Sequence, residues 1–228
     1  MRQLAIALLA TFASLSFVVP PASAGEVDAL GWELVGVDDG VTTKRMKVDG
    51  SSLLAFRGDM VADVAIAKIL QIFLDDSEAK NWVDRFKGSE TLAEPTEYSR
   101  QYWIRFDAPP LVADRDYVLT LEAKVDEVAQ VLVADIESSE HAAKPDQDCC
   151  VRGVVFQTYY RFEALGPEKT RVEVEVHTDP KGRLPDWVVN LVQKSWPNKT
   201  LTALVERASQ ESVTPREEFA AWAGAGGS

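Results

Sequence analysis

The sequence predicts an α+β fold in which a curved antiparallel sheet wraps a long C-terminal helix and leaves an internal hydrophobic tunnel. Three observations predict it. Apolar and polar residues alternate between Trp32 and Met60, and again between Tyr98 and His177, the period of strands with one buried face. One long helical pattern then begins at Pro185. Between the last alternating run and that helix stands Asp179-Pro180-Lys181-Gly182, a turn signal.

Before the first strand lies a leader. Arg2, an apolar run from Leu4 to Val19 and the small residues Ala22-Ser23-Ala24 form the pattern of a cleaved export signal over residues 1–24, with the mature chain starting at Gly25. The run is short for a bilayer span and Pro20-Pro21 closes it, so an anchor is the weaker reading. Export to a periplasmic or extracellular space is therefore expected. The domain is expected over 25–210 and a C-terminal tail over 211–228, its end Ala223-Gly224-Ala225-Gly226-Gly227-Ser228 reading as disordered.

Trp32–Val37 and Val41–Val48 flank Asp38-Asp39-Gly40, a hairpin signal. Leu53–Met60 is the next strand, with Leu54, Phe56 and Met60 on one face. Val64, Ile66, Ile69, Leu70 and Phe73 then fall at helical spacing behind Asp63 as N-cap, and a short helix follows over Ser77–Trp82 with Ser77 as cap. Strands are expected at Tyr98–Phe106, Tyr117–Val128, Gln130–Ser138, Val151–Ala164 and Thr170–His177. The final helix, Pro185 to about Gln210, carries Trp187, Val188, Leu191, Val192, Leu201, Leu204, Val205 and Ala208 as its apolar stripe, with Pro197 expected to kink or interrupt it. Antiparallel strands closed by one such helix make the helix-grip arrangement, with room for a cavity between them.

Composition narrows the partners. Thirty-six acidic against 24 basic residues give a formal net charge of −12, which repels nucleic acid and anionic membranes at long range. Membrane contact is expected to be transient and the chain a monomer. The two cysteines, Cys149 and Cys150, are adjacent. Three readings stay open: two buried thiols at a strand start, a vicinal disulfide, or a metal site, for which no second Cys pair or His cluster completes a ligand set. No metal or cofactor is expected.

Strand parity selects candidate site residues. Tyr117, Leu119, Leu121, Ala123 and Val125 share one face, and Arg115 shares their parity. Val154, Phe156, Tyr160 and Phe162 form the apolar face of a later strand, with Arg152 in the same parity. Arg100, Tyr102, Ile104 and Phe106 repeat the pattern, which one bulged residue would reverse. A guanidinium on an inward apolar face costs several kcal/mol unless a carboxylate, a polar head group or water meets it. Arg115 and Arg152 are therefore candidates for a ligand's polar end, with internal ion pairing as the rival. Trp187, Trp196 and Leu201 are placed at or near the tunnel by the last helix. His177 has the outward parity of Glu173 and Glu175, and His141 lies in a loop, so neither supplies an inward acid or base.

The ordered set Tyr102-Trp103, Pro109-Pro110, Arg115-Asp116-Tyr117-Val118, Val151-Arg152, Thr170-Arg171-Val172 and Asp179-Pro180-Lys181-Gly182 resembles the START family of lipid-binding domains, from about Trp32 to Gln210. The Tyr-Trp to Arg-Asp-Tyr-Val run is most similar to phosphatidylcholine-transfer members. The resemblance implies a tunnel for one lipid, lidded by a loop and the C-terminal helix, with Arg115 toward the lipid's phosphate. No residue here matches the choline-binding aromatic cage of those members. Sterol-binding members use a buried acid–Arg pair, whose acid has no evident place in this sequence, so a phospholipid and a sterol-like ligand both stay open.

The expected function is thus to bind a single lipid, with Arg115, Arg152, Tyr102, Tyr117, Phe156, Tyr160, Trp187, Trp196 and Leu201 as ligand-binding residues, and to carry it through an aqueous envelope compartment. Shielding a sixteen-carbon chain at about 0.8 kcal/mol per methylene offsets roughly 12 kcal/mol of exposure to water. The alternatives are a helix-grip cyclase or hydrolase, for which no Gly-x-Ser-x-Gly or His-Glu-x-x-His motif is present, and a lipid-sensing interaction module working through Thr214–Trp222.

Overall fold

The computed structural model describes residues 27–108 and 112–224. The leader at 1–24, the Pro109-Pro110 pair and residues 225–228 lie outside them.

Alternation produces the strands. β1 (Glu33–Asp38) and β2 (Val41–Lys47) form the expected hairpin, with Asp39 and Gly40 both at positive φ (49° and 78°), the pair of conformations a two-residue turn of this hand requires. β3 (Leu54–Ala62) follows, then α1 (Ile66–Leu74), a 3₁₀ turn (Asp76–Glu78) and α2 (Ala79–Trp82). The remaining strands are β4 (Phe86–Thr96), β5 (Ser99–Phe106), β6 (Asp114–Asp126), β7 (Val131–Ser138), β8 (Cys150–Arg152), β9 (Val154–Gly166) and β10 (Lys169–Asp179), and α3 (Asp186–Ala208) ends the series before a 3₁₀ turn at Glu217–Phe219.

All these strands join one sheet in the order β1-β2-β3-β10-β9-β7-β6-β5-β4, every neighbour antiparallel, with β8 added in parallel to β6. Its concave face carries the core: Leu121, Leu132, Phe162, Val172 and Val174 cluster with Ile66, Ile69, Leu70 and Phe73 of α1 and Leu201 and Leu204 of α3. The helix-grip architecture is the one the sequence implied.

Several expectations change. β4 was not foreseen, because its polar, exposed residues show no apolar alternation. The caps shift: Ala65, not Asp63, precedes α1, and Asp63 turns outward to Lys169 (3.6 Å). Asp75, not Ser77, caps the 3₁₀ turn by accepting from the Ser77 N–H at 2.9 Å. The expected single strand over 151–164 is two, separated at Gly153, where the ring of Tyr117 occupies the place a Cβ would need. α3 runs unbroken through Pro197, since a proline removes only one ladder donor and sheet packing supplies most of a helix's stability. Cys149 and Cys150 form a vicinal disulfide, and neither is buried, which replaces the readings as buried thiols or metal ligands.

The segment after α3 is docked rather than passive. The Arg216 N–H donates to the Ala67 carbonyl of α1 (3.1 Å), Phe219 and Trp222 are buried edge-on to one another, and Gln130 Oε1 accepts from the N–H groups of Ala223 and Gly224. The chain up to Gly224 therefore belongs to the packed body.

Candidate functional site: a cavity between the sheet and the last helix

A cavity of about 600 Å³ lies between the concave face of the sheet and α3. Strand pleat decides which residues reach it. Arg100, Tyr102, Ile104 and Phe106 of β5 and Arg115, Tyr117, Leu119 and Leu121 of β6 all line it, as their parity predicted. Thr158 and Tyr160 of β9, Phe73 of α1 and Val188, Val192 and Trp196 of α3 complete the walls.

Two charged groups mark its ends. At one, Arg115 is 8% exposed and donates only to backbone carbonyls: Nε to Pro180 (3.1 Å), Nη2 to Lys181 (3.1 Å) and Nη1 to Ala113 (2.5 Å). The Asp179-Pro180-Lys181-Gly182 motif acquires a physical role here. Asp179 accepts from the Lys181 N–H (2.8 Å), and Lys181 and Gly182 take positive φ (52° and 81°), which folds the loop so that two carbonyls face the guanidinium. A Cβ on Gly182 would stand 3.2 Å from Arg115 Nη2. Among the described residues no carboxylate pairs with Arg115; the internal salt bridge proposed as its rival role does not form.

At the other end Arg100 is neutralised. Its Nε lies 2.9 Å from Asp76 Oδ1, its Nη1 donates to the Leu74 carbonyl (3.0 Å), and its guanidinium sits 5.6 Å from the Tyr102 ring. Elsewhere the wall is largely apolar, with Tyr102, Tyr117, Thr158, Tyr160 and Gln193 among its polar residues and Asp84, Arg85, Asp107 and Lys199 also lining it. Burial pushes the Tyr102 hydroxyl up to about 12 and raises those of Tyr117 and Tyr160 as well, so all three stay protonated and able to donate.

Four of the expected ligand-binding residues are elsewhere. Arg152 lies outside the cavity, its Nη2 2.7 Å from Asp116 Oδ2, because the neighbouring Tyr117 points in and Asp116 must point out. Asp116 is 0% exposed; burial raises its carboxyl, but bonds from Arg152 and Trp103 outweigh that and hold it below the ordinary range. Phe156 is 45% exposed and packs on His177 (4.7 Å). A bulge opposite His177–Thr178 turns both Phe156 and Gln157 outward, so that Val155 takes the inward place. His177 is outside the cavity, as its parity indicated, with Nε2 3.2 Å from Ser51 Oγ. Leu201 is fully buried against β2 and β3 rather than at the cavity. Trp187 is 70% exposed on the outer side of α3. The face α3 buries runs through Val189, Gln193, Pro197, Leu201, Leu204 and Ala208. Polar Gln193 belongs to it because its Nε2 donates to the Thr178 carbonyl at 2.6 Å, and hydrophobicity alone does not show that.

Arg115, Tyr102, Tyr117, Tyr160 and Trp196 are thus brought together. Phe73, Trp82, Thr158 and Asp76 were missed. Phe73 carried a helical signal that was read as core, whereas the Asp76–Arg100 pair joins elements 24 positions apart and leaves no local pattern.

Fold and cavity together define a helix-grip domain that encloses an apolar ligand space. The START domain family profile matches residues 23–210, and the chain belongs to that family. An uncharacterised protein of Pseudomonas aeruginosa is 26% identical over 189 residues, covering 82% of this chain and 91% of that one. Mouse phosphatidylcholine transfer protein is 23% identical over 168 residues, covering 72% of this chain and 77% of that one. Human StAR-related lipid transfer protein 5 has the same fold, with a TM-score of 0.74 at 20% identity over 80% of this chain and 88% of that one.

Proposed function

We propose that this protein binds one lipid in the cavity and carries it, as an exported monomer, through an aqueous envelope space between membranes. The observation that carries the reading is the cavity itself: an apolar space walled by β5, β6 and α3, with the uncompensated cation of Arg115 at one end. Family membership and the lipid-transfer names of the relatives support the ligand class. The rim of α3 supplies a surface for brief membrane contact, since Leu191 and Val192 line the cavity while standing more than half exposed. Binding is supported by the largely apolar lining, in which Asp76 is engaged by Arg100 and the tyrosines hold their protons.

The Asp76–Arg100 pair favours a second reading, a sterol-like ligand whose hydroxyl bonds to that pair, as the acid–Arg pair does in sterol-binding members. Vesicle-to-vesicle transfer of labelled phospholipid and sterol tests both readings. The protein is expected to accelerate transfer of at least one; no acceleration of either, with the protein folded, would overturn the carrier reading.

A further inference from the structure

We infer that the Cys149–Cys150 disulfide is a thiol-exchange site, and that its reduction by an external dithiol loosens the loop at the Arg115 end of the cavity. Only the effect on the ligand rests on the lipid-binding reading above.

The fold has little use for this bond as a brace. A disulfide stabilises by closing a loop in the unfolded chain, and adjacent residues close the shortest loop there is. It is also within reach of a reagent: Cys149 is exposed and Cys150 half-buried. A thiolate can therefore attack Sγ of Cys149, while Cys150 Sγ leaves with the bonding pair and takes a proton. The second thiol of the reductant then attacks the reductant's own sulfur in the mixed disulfide and frees the Cys149 thiolate, so two electrons pass from dithiol to cystine.

Position links the bond to the cavity. Cys150 opens β8, and Val151 stands beside Arg115 in the parallel pairing with β6. The side chain of Val151 packs on the loop that holds the Arg115 guanidinium: a Cβ on Gly182 would stand 3.7 Å from Val151 Cγ1. The far end of β8 is fastened separately, by Arg152 on Asp116 (2.7 Å) and by the Gly153 N–H on the Asp116 carbonyl (3.0 Å). The near end has the disulfide ring, the pairing with β6 and the Cys150 N–H on the Gln147 carbonyl (3.1 Å). Opening the ring returns backbone freedom to both cysteines at that end. Val151 then loses its fixed place, and the 180–182 loop loses its backing.

The test keeps the delipidated full chain folded and compares it with and without dithiothreitol. Iodoacetamide is expected to add nothing before reduction and one group on each cysteine after it, read by mass spectrometry. Labelling of both without reductant, or of neither until the chain is unfolded, would overturn the exchange site. Amide hydrogen exchange of the reduced chain is expected to quicken over 149–151 and 180–184 and to stay unchanged in β9; no change over 180–184 would overturn the link to the cavity. Labelled phosphatidylcholine or cholesterol, whichever the native chain takes from vesicles, is expected to bind about 5- to 10-fold more weakly to the reduced chain, the low end for coupling between sites. The double variant Cys149→Ser with Cys150→Ser should match the reduced chain and ignore dithiothreitol. Equal affinity in both states would overturn the effect on the ligand alone. Uptake of neither lipid in either state would overturn the carrier reading, and the labelling and hydrogen-exchange arms would still decide the exchange site.

Discussion

Gly58 of β3 and Pro197 of α3 touch across the interface between the sheet and the helix: a Cβ built on Gly58 would stand 2.7 Å from Pro197 Cβ and 3.3 Å from Leu201 Cδ1. The missing side chain is what lets α3 settle onto the sheet and close one wall of the cavity. Pro197 does not break the helix there, because the contact it makes belongs to the packed interface.

Gly58→Ala should therefore destabilise the fold by about 1–3 kcal/mol, the usual range for overpacking a tight interface. Chemical denaturation checks this, and an unchanged midpoint would show that α3 rides higher than described.

The docked C-terminal segment gives a second expectation. Phe219 is buried against α1 and edge-on to Trp222. Phe219→Ala should lower stability by about 3–5 kcal/mol, as truncation of a buried aromatic does. Thermal unfolding reads it, with the exposed Glu217→Ala as a neutral control.

Arg152 separates structure from ligand binding. Arg152→Met leaves the carboxylate of Asp116 buried without its cation and should cost about 3 kcal/mol, the low end for a broken buried pair because Arg152 is partly exposed. Lipid affinity per folded molecule, measured by titration, should not change.

Acid should act through Asp114. Lys87 and then Arg105 bond its carboxylate and hold it from 3.8 down to about 2. A carboxylate depressed in the folded state stabilises it above the unfolded value, and that contribution is lost as pH falls from 3.8 toward about 2. The melting temperature should drop across that window, and Asp114→Asn should flatten the drop in a pH series of melting curves.

Much of the fold was legible because alternation and helical spacing are local. The β1–β2 turn, the inward faces of β5 and β6 and the extent of α3 follow from residue types a few positions apart. What was not legible depended on partners distant in the chain. The bulge at Phe156 is set by pairing with β10, the outward turn of Arg152 by its parallel alignment with β6, and the place of Gln193 by one carbonyl of β10. β4 was hidden because an exposed edge strand needs no apolar face.

The central claim is that one lipid occupies the space between the sheet and α3. Native mass spectrometry after incubation with lipid vesicles tests it most directly, comparing the native chain with Leu119→Trp, which fills the middle of the cavity. The account predicts one lipid mass per native chain and none on the folded variant. A variant that retains lipid at the native stoichiometry, or a native chain that takes up none, would contradict it.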